Sequence, residues 1–197
     1  MTRGARAWIG LSTLLGACAL AGWTLPREAL DWQPALAFHQ PWRAVSAVGV
    51  HYSLPHLIAN LARLALAGAF GVVAQVPTRV AGAWLDAWPL TQLGLLARPD
   101  LTHYGGLSGV LHAGVAVVVV SLLIDGTSAQ RWLAGAVLLG LGLKIANESP
   151  WGPALRHPAG WDIAVAPFAH ASGALAGALC AIIASRWPHA ATANEHD

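Results

Sequence analysis

The chain has 197 residues, of which 56% are hydrophobic and only 10% are charged, and its mean hydropathy is +0.54. A water-soluble domain of this size needs more charged residues to cover its surface, so the composition excludes an ordinary soluble globular protein and favours a membrane protein. The formal net charge of +2 is small and comes without a basic run, so nucleic acid is not an expected partner.

Six apolar segments follow one another along the chain, separated by Pro, Gly and charged residues. A helix needs about 20 such residues to cross the hydrocarbon of a membrane. We therefore predict an all-α membrane protein, a six-transmembrane-helix bundle that forms a single domain over residues 1–187. The predicted helices cover residues 7–25, 55–76, 80–97, 107–124, 129–147 and 165–187, and a short polar tail follows at residues 188–197.

The first and third segments each allow a second interpretation. Arg3 and Arg6 precede an apolar core, as in a secretory signal peptide, but we expect an uncleaved helix because the other segments already make the protein polytopic. The third segment contains Asp86 and Pro89, and a charge near the bilayer centre costs at least a few kcal/mol unless it is paired or faces a cavity. An interfacial helix is the alternative there. A spanning helix is favoured, because only then do the second, fourth and sixth helices all begin on the same side.

Ser108 begins the fourth predicted helix within a run of small residues that includes Gly106 and Gly109. Small residues allow the backbone and a substrate to approach closely, and the unpaired N–H groups of a helix start can hold an oxyanion. A flexible helix cap is the alternative interpretation of this motif.

His170 begins the sixth predicted helix, and Gly173 and Gly177 share its face at spacings of three and seven residues. Small residues let such a helix pack closely against a neighbour, which would bring an imidazole within reach of the Ser108 hydroxyl. A neutral imidazole there could take the serine proton during attack on a carbonyl. No acidic residue is obviously placed to orient His170, so the sequence predicts a dyad.

His56 and Asn60 are four residues apart and project from one face of the second predicted helix. Because that helix begins on the same side as the two others, both side chains could donate hydrogen bonds to a developing oxyanion beside Ser108. Hydrogen bonding between helices is an equally good interpretation. Lys144 and Glu148 have the same spacing, and a local ion pair is at least as good an interpretation of them as a substrate contact, so neither is assigned a catalytic role.

These residues resemble, in order, the signatures of the rhomboid family of intramembrane serine proteases. The resemblance covers the chain from Trp42 to about Gly177, and is carried by Trp42-Arg43, His51, His56-Leu-Ile-Ala-Asn60, Gly106-Leu-Ser108-Gly109 and Ala169-His170 with Gly173 and Gly177. It implies a rhomboid-like six-helix core with a water-filled cavity, Ser108 as nucleophile, His170 as base, and an oxyanion site at His56 and Asn60. It also implies that Trp42 and Arg43 belong to a membrane-embedded loop, and it implies neither a cofactor nor a metal.

Within that family, the small size, the segment Leu107-Ser-Gly-Val-Leu-His112 and the pair Lys144 and Glu148 are similar to the rhombosortase branch. That branch is thought to process proteins that bear a Gly-Gly-type C-terminal sorting segment in Gram-negative bacteria. The implied partners are a membrane-protein substrate with a C-terminal transmembrane segment and the lipid bilayer. The implied location is the bacterial inner membrane, with the active site opening towards the periplasm.

Two positions depart from the family pattern. His112 stands one turn after Ser108, where many rhomboids carry a Tyr beside the catalytic His, and Ala47 stands where a further His is frequent. The predicted reaction is attack by Ser108 on a carbonyl of a locally unwound transmembrane segment. The resulting acyl-enzyme would be released by water or by an amine.

Other functions use the same polar residues. A transporter would use them as a pathway for an ion or small solute, with Asp86 and Pro89 in a broken-looking helix. A haem or metal protein would use the His residues as ligands, although no acidic or Cys partners accompany them. A third alternative, an inactive rhomboid-like protein that binds membrane clients, is disfavoured because Ser108 and His170 are both retained.

Overall fold

The computed structural model describes residues 1–186, and within them it contains helices, turns and no β-strand. Six long helices are accompanied by two short ones in the loop after the first. They are α1 (Arg3–Gly22), α2 (Arg27–Leu30), α3 (Arg43–Ser46), α4 (Leu54–Val73), α5 (Thr78–Leu93), α6 (Ser108–Asp125), α7 (Ser128–Asn147) and α8 (Pro167–Arg186). The predicted all-helical fold is confirmed. The last residue of the sixth predicted segment and the tail at 188–197 lie outside the described residues.

Four of these helices, α1, α4, α6 and α8, are long and apolar enough to cross a membrane. By contrast, α5 has only 16 residues and contains Asp86, and α7 has 20 residues but carries Arg131 and Lys144 near its two ends. The structure therefore supports a membrane protein, while the count of six spans stays a prediction.

Most helix ends differ from the predicted bounds by a few residues, and two of them do so for local reasons. The first helix begins at Arg3 because the Thr2 hydroxyl caps it by accepting a hydrogen bond from the Ala5 N–H at 3.1 Å. The third continues as an α-helix through Pro89 to Leu93 and then tightens into a 3₁₀ turn at Gly94–Ala97. The helix is thus continuous through Pro89, unlike the broken helix of the transport interpretation.

Helix α6 is the centre of the bundle, since it packs against α4, α5, α7 and α8. Eleven of its 18 residues are buried, which matches a helix that is apolar on every side. Helix α7 is the opposite case, because Ala134 is the single buried residue among its 20. Helix α6 is thus packed against neighbouring helices on all sides, whereas most of the surface of α7 is not covered by other helices.

Helices α6 and α8 form the closest contact of the bundle. A Cβ added to Gly173 would meet the carbonyl oxygen of Gly109, and one added to Gly177 would meet that of Ala113. The two backbones therefore lie in direct contact along two turns, as small residues permit in membrane helices. This contact sets the distance between the first residues of α6 and α8.

The loop between α1 and α4 is held by a buried ion pair. Arg43 Nη1 donates to Asp31 Oδ1 at 2.9 Å and to the Asp31 carbonyl at 2.7 Å, and the Nε of Arg43 donates to Gln40. His103 also contacts Asp31, at 2.6 Å, and so ties this loop to the one that precedes α6. A buried arginine held by several acceptors fixes the loop backbone.

Candidate active site

Ser108 and His170 lie together at the N-terminal ends of α6 and α8. The Ser108 hydroxyl is 3.1 Å from His170 Nε2, a distance suited to an O–H···N hydrogen bond. His170 is buried, with 5% of its surface exposed. The glycine contact between the two helices is what brings these side chains together, because each lies within a turn of it.

Glu148 contacts the other side of the same imidazole. Its Oε2 lies 2.7 Å from His170 Nδ1, and its Oε1 lies 2.9 Å from Lys144 Nζ. A carboxylate only accepts, so Nδ1 carries the proton and Nε2 presents its lone pair to Ser108. The prediction that no acidic residue orients His170 is wrong. The predicted local ion pair of Lys144 and Glu148 is present.

The Glu148 carboxyl remains ionised at neutral pH. Burial raises its pKa, but the hydrogen bond and charge of His170, together with those of Lys144, outweigh burial and lower the pKa to about 2. A negative charge is therefore available beside His170 whenever the imidazole takes up a proton.

His112 stacks on His170, with ring centroids 4.2 Å apart and planes inclined by 16°. Its Nδ1 lies 2.7 Å from the Ser108 carbonyl, which only accepts, and its Nε2 lies 2.7 Å from Lys144 Nζ, which only donates. These two partners assign a neutral His112 ring with the proton on Nδ1. His170 therefore has an uncharged aromatic face against it.

Lys144 Nζ also lies 3.2 Å from His170 Nδ1. This contact competes with the Glu148 carboxylate for the same ring nitrogen. The carboxylate is closer, at 2.7 Å, and its hydrogen bond is charge-assisted, so Nδ1 donates to Glu148 and its approach to Lys144 is repulsive.

His56 and Asn60 lie across from Ser108 on α4. A Cβ added to Gly106 would stand 3.1 Å from His56 Nε2 and 3.9 Å from Asn60 Nδ2, so both nitrogens converge on the backbone just before Ser108. Gly106 has φ +133°, a conformation that favours glycine. Both amide atoms of Asn60 are buried without a partner.

The His56 ring is set up to donate into this space. The Tyr52 N–H points to its Nδ1 at 3.5 Å, a long contact that still leaves Nε2 as the nitrogen that carries the proton. The His51 ring is buried and lies tilted against His56, with ring centroids 4.8 Å apart and planes inclined by 54°. Burial lowers the pKa of His51 more than its hydrogen bond to Gly49 raises it, so this ring is neutral.

A cavity of about 1150 Å³ opens from these residues and runs between α4, α6 and α7. Its polar end holds Ser108, His170, His56 and Asn60. Its other end is apolar, and is lined by Leu66, Ala67, Phe70, Val115, Val137 and Leu141. A volume of this size takes a peptide segment with several side chains.

The loop between α7 and α8 also lines the cavity, at its polar end. Its two arms pair through the backbone of Arg156 and Val165, and Ser53 donates to Asp162 at 3.0 Å, which ties the loop to the start of α4. Trp161 from the same loop packs against the guanidinium of Arg63, 5.4 Å from the ring centre.

The remaining predicted residues lie outside the cavity lining. Trp42 is exposed, Arg43 is buried in its pair with Asp31, and His51 lies behind His56. Gly109, Gly173 and Gly177 form the α6–α8 contact. Asp86, the residue on which the transport interpretation depends, is exposed and does not line the cavity.

No group of three or more His, Cys, Asp or Glu side chains within residues 1–186 is arranged to hold a metal ion. The four His residues near the site form two separate ring pairs instead, a tilted pair of His51 with His56 and a stacked pair of His112 with His170.

Sequence reasoning missed the contact of Glu148 with His170. Its i, i+4 spacing from Lys144 drew attention to the local ion pair, whereas its contact with His170 spans 22 positions. The order of the helices could have indicated this contact. Consecutive antiparallel helices place the end of α7, with Glu148, and the start of α8, with His170, on the same side.

Comparison of the chain with family models, with curated proteins and with solved structures found no match.

Proposed function

We propose that this protein is an intramembrane serine protease of the rhomboid type. The observation that carries the proposal is the 3.1 Å contact between the Ser108 hydroxyl and His170 Nε2 at the head of a large cavity. A nucleophile within reach of a base, which is in turn oriented by a third group, is the arrangement that activates a serine. The unpartnered amide of Asn60 supports an oxyanion site beside it.

In the proposed reaction, Ser108 Oγ attacks the carbonyl carbon of the scissile bond and its proton passes to His170 Nε2. His56 Nε2–H and Asn60 Nδ2–H donate to the negatively charged oxygen of the tetrahedral intermediate. The C–N bond then breaks, and the proton on His170 moves to the leaving nitrogen. An ester on Ser108 remains.

The ester is released by a second attack. Water loses a proton to His170 as it adds to the ester carbonyl, and the C–O bond to Ser108 breaks as that proton returns to Oγ. The product is a carboxylic acid. An amine that replaces water in this step gives a new amide by the same proton movements.

The proposed substrate is a membrane-anchored client with a C-terminal transmembrane segment, as in the rhombosortase branch. The apolar half of the cavity, between Phe70 on α4 and Leu141 on α7, suits the apolar side chains of such a segment. The proposed location is the bacterial inner membrane, with six spans and the Ser108 end of the cavity open to the periplasm.

Covalent labelling by a fluorophosphonate probe tests the activated serine. Detergent-solubilised wild type is expected to be labelled, and Ser108→Ala and His170→Ala to be unlabelled, because the probe needs both the hydroxyl and its base. Ser185→Ala and His39→Ala are matched controls outside the site and are expected to label normally. A folded wild type that stays unlabelled would contradict the proposal.

Client cleavage in proteoliposomes tests the substrate class. A client with Gly-Gly before a C-terminal apolar segment is expected to be cut by wild type, and the same client with Val-Val to be cut more slowly. Mass spectrometry of the product distinguishes a free carboxyl group from a new amide. If the probe labels the protein but neither client is cleaved, the assignment of an activated serine stands and the proposed substrate class is wrong.

A further inference from the structure

We infer that Glu148 is a positioning residue for the base, and that Lys144 in turn orients Glu148, so that the site is a Ser–His–Glu triad. This inference rests on the proposed function. Glu148 touches neither the nucleophile nor the reacting carbonyl, so it acts through the imidazole of His170.

The first argument is the tautomer of His170. A histidine can take the serine proton only if Nε2 carries a lone pair, which requires the ring proton on Nδ1. Within residues 1–186, Glu148 Oε2 is the acceptor that the structure places against Nδ1, at 2.7 Å. Without that carboxylate, the nearest group to Nδ1 is Lys144 Nζ at 3.2 Å, a donor that favours the opposite tautomer.

The second argument is charge. When the buried imidazole of His170 becomes protonated, it stands beside the half-exposed ammonium of Lys144, and the two positive charges repel each other. Glu148 places one carboxylate oxygen against each of them, at 2.7 Å from His170 and 2.9 Å from Lys144. His112 is neutral and adds no charge. The carboxylate is therefore the group that stabilises protonated His170.

The third argument is rigidity. Glu148 is the C-cap residue directly after α7, and its backbone N–H bonds to the last turn of that helix. Its carbonyl accepts from Arg156 Nη1 at 2.8 Å, so the loop also holds it. Lys144 lies one turn earlier and fixes Oε1, which leaves Oε2 directed at His170. The backbone of Glu148 is thus held at both its N–H and its carbonyl, and its carboxylate is held by Lys144.

Glu148→Gln is a sharp test because Lys144 determines which way the amide lies. The ammonium requires an acceptor, so it takes the amide oxygen and turns the NH₂ group towards His170 Nδ1. Nδ1 must then accept, and the ring proton moves to Nε2, where it blocks the base. We expect labelling by the fluorophosphonate probe to slow about 10- to 1000-fold, compared with about 10⁴ for a fully buried triad carboxylate.

The double variant Glu148→Gln with Lys144→Met removes that constraint. The amide is then free to present its oxygen to Nδ1, so labelling is expected to recover part of the loss. Glu148→Asp keeps the charge on a shorter side chain and is expected to label faster than Glu148→Gln. Asp100→Asn is the matched control, because its carboxylate pairs with Arg98 outside the cavity lining.

The deciding measurement is ¹⁵N NMR of histidine-labelled protein, in which a His170→Gln sample assigns the His170 signals. Wild type is expected to show the Nδ1–H tautomer, and Glu148→Gln the Nε2–H tautomer. An unchanged tautomer in Glu148→Gln would overturn the inference, whatever the labelling rates. This readout needs no activity, so it stands apart from the proposed function, which fails if wild type is not labelled.

Discussion

At the scale of single residues, the two stacked His rings of the site are fully partnered, whereas the buried amide of Asn60 has no partner. The rings of His112 and His170 each have a defined acceptor or donor at both nitrogens. Asn60 differs, because neither its Oδ1 nor its Nδ2 is bonded although the residue is completely buried. A buried polar group without a partner costs about 1–3 kcal/mol, so such a group is expected where function requires it.

Asn60→Leu is therefore expected to stabilise the protein and to inactivate it. Leu has nearly the same shape as Asn but no polar atoms, so the free energy of unfolding should rise by about 1–3 kcal/mol. Loss of an oxyanion donor should slow client cleavage by about 10²- to 10³-fold. Thermal unfolding followed by Trp fluorescence, together with the cleavage rate, checks both parts.

Gln92 provides the matched control for Asn60. Its amide on α5 is also buried without a partner, but it does not line the cavity. Gln92→Met is expected to stabilise the protein and to leave cleavage unchanged. If both variants lost activity equally, the loss could not be assigned to the oxyanion site.

Glu148 also predicts how stability depends on pH. Its pKa is about 2 in the folded protein, against an ordinary value of 4.5. Because the folded value is the lower one, Glu148 contributes stability that is complete above pH 4.5 and is lost as the pH falls towards 2. The unfolding temperature of wild type should therefore fall more over this window than that of Glu148→Gln. Parallel curves for the two proteins would contradict the ion-pair assignment.

At the scale of helices, the α6–α8 contact determines whether the catalytic side chains meet. Gly109 and Gly173 bring the two backbones together, and Ser108 and His170 are each within three positions of one of them. The protein thus uses the closest helix–helix contact of the bundle to position nucleophile and base. The residue that orients the base comes instead from α7, which buries one side chain.

Gly173→Ala is expected to separate the catalytic pair. The added methyl group would meet the Gly109 carbonyl oxygen, so α8 must move away from α6 and the Ser108 to His170 hydrogen bond lengthens. We expect probe labelling to slow by at least about tenfold, since small misplacements of reacting groups are costly. Gly135→Ala and Gly142→Ala on α7 meet nothing within 4 Å and should label normally. Equal labelling of all three variants would show that the contact does not position the site.

Much of this arrangement could be predicted from the sequence. Hydropathy and small-residue motifs predict where the helices start, and therefore that Ser108 and His170 lie near helix starts. These signals can be read from the sequence because they are local. The contact of Glu148 with His170 could not be read in the same way. It depends on the loop from 149 to 166 folding back so that α7 and α8 run antiparallel, and on the direction of one carboxylate that Lys144 fixes.

At the scale of the whole molecule, helix length sets how many helices can cross the membrane. Helix α5 has 16 residues, and the 3₁₀ turn Gly94–Ala97 extends it by four. At about 1.5 Å per α-helical residue and about 2 Å per 3₁₀ residue, the combined rod is about 32 Å long, enough to cross about 30 Å of hydrocarbon. Counted together with the 3₁₀ turn, α5 is therefore long enough to span, although its 16 α-helical residues alone keep it out of the set of four.

Accessibility of single cysteines to a membrane-impermeant maleimide determines whether α5 and α7 cross the membrane. Both natural cysteines, Cys18 and Cys180, are free and can be replaced by Ala to give a silent background. Thr78→Cys and Asp100→Cys flank α5, and Ser128→Cys and His157→Cys flank α7. If both helices span, the members of each pair react from opposite sides, with positions 100 and 157 on the periplasmic side together with Ser108. If positions 78 and 100 react from the same side, α5 lies at the interface. The start of α4, which carries His56, would then lie on the opposite side of the membrane from Ser108 and His170. That result would contradict the proposed topology, in which all three residues meet around one cavity.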